Sequence, residues 1–174
     1  MREKGNGGIM RINDITLNTI QNGVGVRDVV WVQGCHHHCP ECHNPQTWSQ
    51  LGGKEMEVWK IVHELLKTNN NVTISGGEPL DQIDELLVLT YHIRLMGKTI
   101  WLYTGYTMDM QKLNHEVFDR IDVVVDGEFH IDEKDISLPF RGSANQRIID
   151  VKASRNANEI VIWKYPEPRE VHYV

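Results

Sequence analysis

Apolar positions along this chain alternate between two rhythms. Val26 to Val32 reads as a strand, and Glu55 to Lys67 then carries Val58, Ile61, Val62 and Leu65 on one helical face. The rhythm repeats. Asn71 to Ser75 is a short apolar strand pattern, Gly76-Gly77-Glu78-Pro79 breaks it, and a helical pattern runs from Asp81 to Met96. Gly97 stands where a helix stop prefers glycine. Thr99 to Tyr103 and Ile121 to Val125 are further strand patterns, separated by a polar-amphipathic segment from Asp109 to Phe118. Later strands are expected at Arg147 to Val151 and Ile160 to Trp163.

Strand-helix alternation predicts an α/β fold with a mostly parallel sheet and right-handed crossovers. The chain has 174 residues, whereas a closed eight-unit barrel takes about 250. A partial (β/α) barrel is therefore expected. It would form a single domain over 1–174, with residues 1–8 and 166–174 as flexible ends. In such folds ligands gather at the carboxyl ends of the strands. Each unusual loop falls there: Cys35 to Cys42 after the first of these strands, Gly76 to Pro79 after the second, Thr104-Gly105 after the third and Asp126-Gly127-Glu128 after the fourth.

All three cysteines lie within Cys35-His36-His37-His38-Cys39-Pro40-Glu41-Cys42. Disulfide frameworks distribute paired cysteines along a chain, so an odd number in one loop points elsewhere. A buried helical face would explain the spacing, but Pro40 and Gly34 oppose a helix here. Two metal readings remain and fit the thiols equally. One is a tetrahedral zinc site completed by His36, His37, His38 or His43. The other is a 4Fe-4S cluster whose fourth iron lacks a protein thiolate and takes an exchangeable ligand.

Gly76-Gly77-Glu78-Pro79 is read first as a tight turn opening a helix. Its functional reading is a close backbone approach beside a carboxylate, suited to a ligand ammonium group. Asp126 before a glycine is a common turn residue, with cofactor or cation binding the competing reading. Arg141 and Arg147 could pair with a carboxylate. Trp48, Trp59 and Trp101 read as packing residues.

Composition removes several classes of function. The hydrophobic share of 40% and charged share of 24% support a packed core. A net charge of -6 without a basic patch argues against a nucleic-acid partner. No apolar run approaches the roughly 20 residues of a membrane span, and Met1 to Met10 is glycine-rich and polar, unlike a signal sequence. A cytoplasmic protein is expected.

Taken together, the C-x-x-x-C-x-x-C loop after an early strand and the later strand ending in Gly-Gly-Glu-Pro resemble the radical S-adenosylmethionine superfamily. Within it, the chain is similar to the activating proteins of the anaerobic, glycyl-radical ribonucleoside-triphosphate reductases. That closer resemblance is carried by His43-Asn44-Pro45-Gln46-Thr47-Trp48, by Tyr103-Thr104-Gly105-Tyr106, by Val123 to Phe129 and by Phe140 to Arg147. It spans about Ile15 to Val151.

The resemblance implies that Cys35, Cys39 and Cys42 bind a 4Fe-4S cluster whose open iron chelates the amino and carboxylate groups of S-adenosylmethionine. It places Gly76, Gly77 and Glu78 at the methionine ammonium, Glu41, Cys42 and His43 near the adenine end, and Thr104 and Asp126 within the cofactor site. Glu41 stands where many relatives have an aromatic residue. The implied reaction is reductive cleavage to methionine and a 5'-deoxyadenosyl radical, which takes a hydrogen atom from a glycine of the large reductase subunit. An electron donor such as a flavodoxin is implied with it. A small-molecule enzyme resembling 7-carboxy-7-deazaguanine synthase and a noncatalytic Cys3His zinc module are the alternatives.

Overall fold

The computed structural model describes residues 8–165. The expected flexible ends, 1–8 and 166–174, lie outside these residues except for Gly8. Seven strands are present among them: β1 (Ile9–Thr19), β2 (Arg27–Val32), β3 (Lys54–Glu57), β4 (Asn71–Gly76), β5 (Ile100–Thr104), β6 (Val123–Asp126) and β7 (Arg147–Asp150). They form one sheet in the order β3-β1-β2-β4-β5-β6-β7. The expected βα strands β2, β4, β5 and β6 make the parallel centre. Antiparallel pairs flank it, β1 with β2 and β3 on one side and β7 with β6 on the other. The sheet runs from edge to edge without closing, so the α/β architecture is an open sheet and not a closed barrel.

Helices α1 (Val58–Leu65) and α2 (Ile83–Leu95) follow the cysteine loop and the diglycine loop. Val58, Ile61 and Leu65 of α1 are fully buried, as are Leu86, Leu89 and Ile93 of α2. Each such burial favours the docked helix by about 1.5–3 kcal/mol. Gly97 ends α2 with φ of 72°, the left-handed geometry that glycine adopts without penalty. Two short helices complete the set, α3 (Met110–Leu113) and α4 (Val151–Ala157).

Alternation along the strands divides the core between the two faces of the sheet. Val30, Val32, Ile74, Leu102 and Val124 face α1 and α2. Trp101, Val123, Val125 and Ile148 point the other way, where Tyr103, Phe140 and Trp163 pack on them. Arg27 enters this second face at the foot of β2. It donates from Nε to Thr73 Oγ1 at 2.8 Å and from Nη2 to the Val72 carbonyl at 2.5 Å, and it lies 5.6 Å from the Trp101 ring. Desolvation lowers its pKa to about 10.

Three elements differ from the sequence pattern. Residues 55–57, expected to open α1, belong instead to strand β3, which pairs with Ile9 to Ile12. The Ile160–Trp163 segment makes only a single bridge, Ile149 to Ile162, and α4 begins at Val151 because Asp150 caps it, accepting from Ala153 N–H at 2.8 Å. The longest strand, β1, is hidden by an irregularity between Ile12 and Asp14. That shift moves its apolar parity from Met10 and Ile12 to Ile15 and Leu17.

Candidate metal centre

Parallel register places the strand ends together: Val32 lies beside Gly76, and Thr104 beside Asp126. The loops that follow these residues form one rim. Cys35, Cys39 and Cys42 stand on it as free, partly exposed thiols. The cysteine loop is closed at its stem, where Gly34 N–H donates to Thr47 O at 2.8 Å and Cys35 N–H to Trp48 O at 3.1 Å. Buried Gln33 holds the far arm through Nε2, which donates to Gln46 O at 3.1 Å and Ser49 O at 2.8 Å. His38 and Glu41 take left-handed backbone angles, φ 49° and 54°, so the loop is folded tightly against intrinsic preference.

Asn44 N–H donates to Cys42 Sγ at 3.3 Å, and the backbone N–H groups of His37 and His38 favour the Cys35 thiolate, as that of Phe129 favours the Cys39 thiolate. Desolvation is the largest influence on Cys35 and Cys39 and raises their pKa values, with these N–H groups opposing it. Metal coordination would deprotonate such thiols outright. Among the described residues, no three His, Cys, Asp or Glu side chains converge closely enough to hold a single metal ion. The donor set is three soft thiols on a loop with amide N–H groups that favour the thiolates, which fits an iron-sulfur cluster.

The diglycine loop is pressed against the cysteine loop. Gly77 N–H donates to Val32 O at 2.8 Å and Glu78 N–H to Gly34 O at 2.7 Å. A side chain on Gly76 or Gly77 would run into the backbone of Val32 or Gly34. These glycines exist for contact between two rim loops.

Glu78 is fully buried. Its Oε1 accepts from Leu80 N–H at 3.0 Å and Thr104 Oγ1 at 2.9 Å, and its Oε2 accepts from Gly105 N–H at 2.8 Å and His37 Nε2 at 3.1 Å. The chain itself fills this carboxylate. Asp126, also buried, accepts from Met108 N–H at 2.7 Å and from Arg147 at 2.5 Å. Arg147 is thereby engaged within the rim, and Thr104 is the support of Glu78.

Glu41 and His43 are exposed beside Cys42, with the His43 ring 5.1 Å from Phe129. Cys42 and His43 border a cleft of about 640 Å³ on the second face of the sheet, walled by Trp31, Ser75, Tyr103 and Arg141. From sequence, His37 was one of four equivalent candidate zinc ligands and Glu128 only part of the loop after the fourth strand. His36 bonds Asp81 at 2.8 Å and His38 lies 5.0 Å from Trp48, whereas the His37 ring sits between Glu78 and Glu128, at 3.1 and 2.8 Å. The bond to Glu78 is the main reason its pKa is raised.

A family model described as a 4Fe-4S single cluster domain matches residues 21–149. The fold and site therefore define a single-cluster iron-sulfur protein on an open α/β sheet. The anaerobic ribonucleoside-triphosphate reductase-activating protein of Salmonella typhimurium is 41% identical over 149 residues, covering 79% of this chain and 96% of that protein. The same-named protein of Escherichia coli K12 is 41% identical over 139 residues, covering 73% and 90%. That of Enterobacteria phage T4 is 35% identical over 156, covering 83% and 92%. The chain belongs to the family of anaerobic ribonucleoside-triphosphate reductase-activating proteins. Among solved structures, QueE from Escherichia coli aligns with a TM-score of 0.49 at 19% identity, covering 68% of this chain and 70% of that one.

Proposed function

We propose that the chain is the radical-generating activase of an anaerobic ribonucleoside-triphosphate reductase, with Cys35, Cys39 and Cys42 holding its 4Fe-4S cluster. The observation that carries this reading is the loop itself: three free thiols, one of them accepting from a backbone N–H, on the rim at the carboxyl ends of parallel strands. When bound, the cluster and S-adenosylmethionine supply one-electron reductive cleavage of the cofactor, the source of the radical placed on a glycine of the reductase.

What the chain contributes is position and exclusion. The backbone of Gly76, Gly77 and Glu78 receives the methionyl ammonium through its carbonyls, since the Glu78 carboxylate is already shared among its own donors. Cys42 and His43 border the adenosine side of the cleft, with exposed Glu41 next to them in the loop. Thr104 and Asp126 act one layer back, through Glu78 and through Arg147. Beside the cleft, half-buried Phe140 and Trp163 pack on Trp101 and shield that part of the second face from water. No side chain is asked to move a proton.

The electron comes from a flavodoxin-type donor, in keeping with the one low-potential electron the reaction needs. A reducing, cytoplasmic setting suits three unpaired thiols. Among the described residues, no helix is long and apolar enough to cross a membrane.

Anaerobic reconstitution should give about four iron per chain, and a reductant should then drive cleavage of S-adenosylmethionine to 5'-deoxyadenosine. Mixing with the reductase should produce a glycyl radical visible by electron paramagnetic resonance. Cofactor cleavage without that radical would assign the chain to a small-molecule substrate, and stoichiometric zinc without cleavage would defeat the reading altogether.

A further inference from the structure

His37 occupies a spacer position between two cluster cysteines, yet its side chain is only 7% exposed while both neighbouring histidines are exposed. Both ring nitrogens are used. Nδ1 reaches Glu128, on the loop after β6, and Nε2 reaches Glu78, on the loop after β4. The loop after β5 makes room for the ring: a Cβ on Gly105 would lie 2.5 Å from His37 Cδ2. Tyr106 closes the remaining side, edge-on at 5.0 Å, and His36 lies against the ring at 4.2 Å. One imidazole thus ties the cysteine loop to the three other rim loops.

The 36–38 stretch is otherwise held by side chains, His36 bonding Asp81 at 2.8 Å from an exposed position. Among the described residues, none of the N–H groups of His36, His37 and His38 donates to a backbone carbonyl, and His38 has φ of 49°. The backbone N–H groups of His37 and His38 favour the Cys35 thiolate, and they belong to the residue whose ring is fastened and the one after it. Hydrogen bonds to cluster sulfurs tune its potential, and groups that orient metal ligands affect affinity and activity.

We propose that His37 is the positioning residue of the cluster loop, its ring serving as the peg that aims the backbone N–H groups at Cys35 and so sets the potential and cofactor affinity of the loaded site. This rests on the reading that Cys35, Cys39 and Cys42 hold the cluster. Loss of the peg frees the N–H groups to turn from sulfur, which makes the cluster harder to reduce.

The test compares reconstituted wild type with His37→Phe, which keeps a ring and loses both bonds, and Glu128→Gln, which weakens one anchor. Iron content, midpoint potential, and KM against kcat per loaded cluster are measured. His37→Phe should shift the potential to more negative values and raise KM for S-adenosylmethionine about tenfold. Glu128→Gln should move both the same way by less. Wild-type potential and KM in both variants, at any iron content, would overturn the proposal. Hydrogen exchange on the metal-free proteins gives a second arm, in which residues 36–38 should exchange at least about tenfold faster in His37→Phe while β4 and β5 stay unchanged. Equal exchange would refute the peg. A wild-type chain that takes up no cluster would defeat the underlying reading and the redox half of the proposal, and the exchange arm would still decide the fastening.

Discussion

Substituting Gly77 by alanine tests the contact between the two rim loops on which the centre depends. A Cβ at this position would lie 2.9 Å from the Gly34 carbonyl carbon and closer still to its oxygen. Ordinary contact begins at 3.4 Å, so the two backbones must part by about 1 Å. That separation stretches the 2.7 Å bond from Glu78 N–H to Gly34 O and the 2.8 Å bond from Gly77 N–H to Val32 O. Losing both costs about 1–3 kcal/mol, and overpacking against rigid backbone adds about 1–3 kcal/mol. The expected loss is therefore about 2–6 kcal/mol, a large part of the roughly 5–15 kcal/mol that holds a domain folded.

Urea denaturation of the metal-free protein reads this as a lower midpoint at unchanged slope. Iron uptake should fall as well, because Gly34 carries Cys35. Gly97→Ala is the control. It also places alanine on a glycine, in this case at φ of 72° with open space around it, so it should cost only about 1 kcal/mol of local strain and leave iron uptake intact. A Gly77→Ala protein within about 1 kcal/mol of wild type, with full iron, would refute the close-approach argument.

Replacing any one cluster cysteine, for example Cys39→Ser, should abolish stable retention of about four iron per chain while leaving the urea midpoint of the metal-free protein nearly unchanged, since the thiol is partly exposed; full iron in the serine variant would count against three-thiol ligation. Arg27→Leu should destabilise by about 2–4 kcal/mol, because it removes the charged donors to Thr73 Oγ1 and the Val72 carbonyl inside the second face, and thermal melting that shows no loss would contradict the buried network. Burial raises the Tyr103 pKa above a tyrosine's ordinary value, so its contribution to stability is complete below about pH 10 and is lost as pH rises through the higher folded-state value. Tyr103→Phe should flatten the fall in stability between about pH 9 and pH 11; an unchanged slope in urea titrations would show that the phenol is not held by burial.

The parallel centre of the fold was legible because β2, β4, β5 and β6 are buried on both faces and read as continuous apolar runs. Its flanks were not. β3 is four residues whose pairing depends on β1, and β1 itself loses its alternation at a register shift. Neither signal is local. The cysteines could be read as a metal loop from spacing alone, but the placement of the N–H groups that favour their thiolates depends on backbone angles at His38 and Glu41 that no pattern encodes.

The diglycine loop shows the same division more sharply. From sequence, two glycines and a carboxylate suggested a surface shaped for an ammonium group; in the folded chain the glycines meet Val32 and Gly34, and the carboxylate meets Thr104, Gly105 and His37. The sequence by itself determined which chemistry is available: three thiols in one loop, an α/β order of elements, and loops of glycine and carboxylate at the strand ends. Only the tertiary structure decided who touches whom. Covalent spacing and periodicity act over a few residues, whereas the partners of His37 lie 41 and 91 positions away and are brought to it by parallel strands in register.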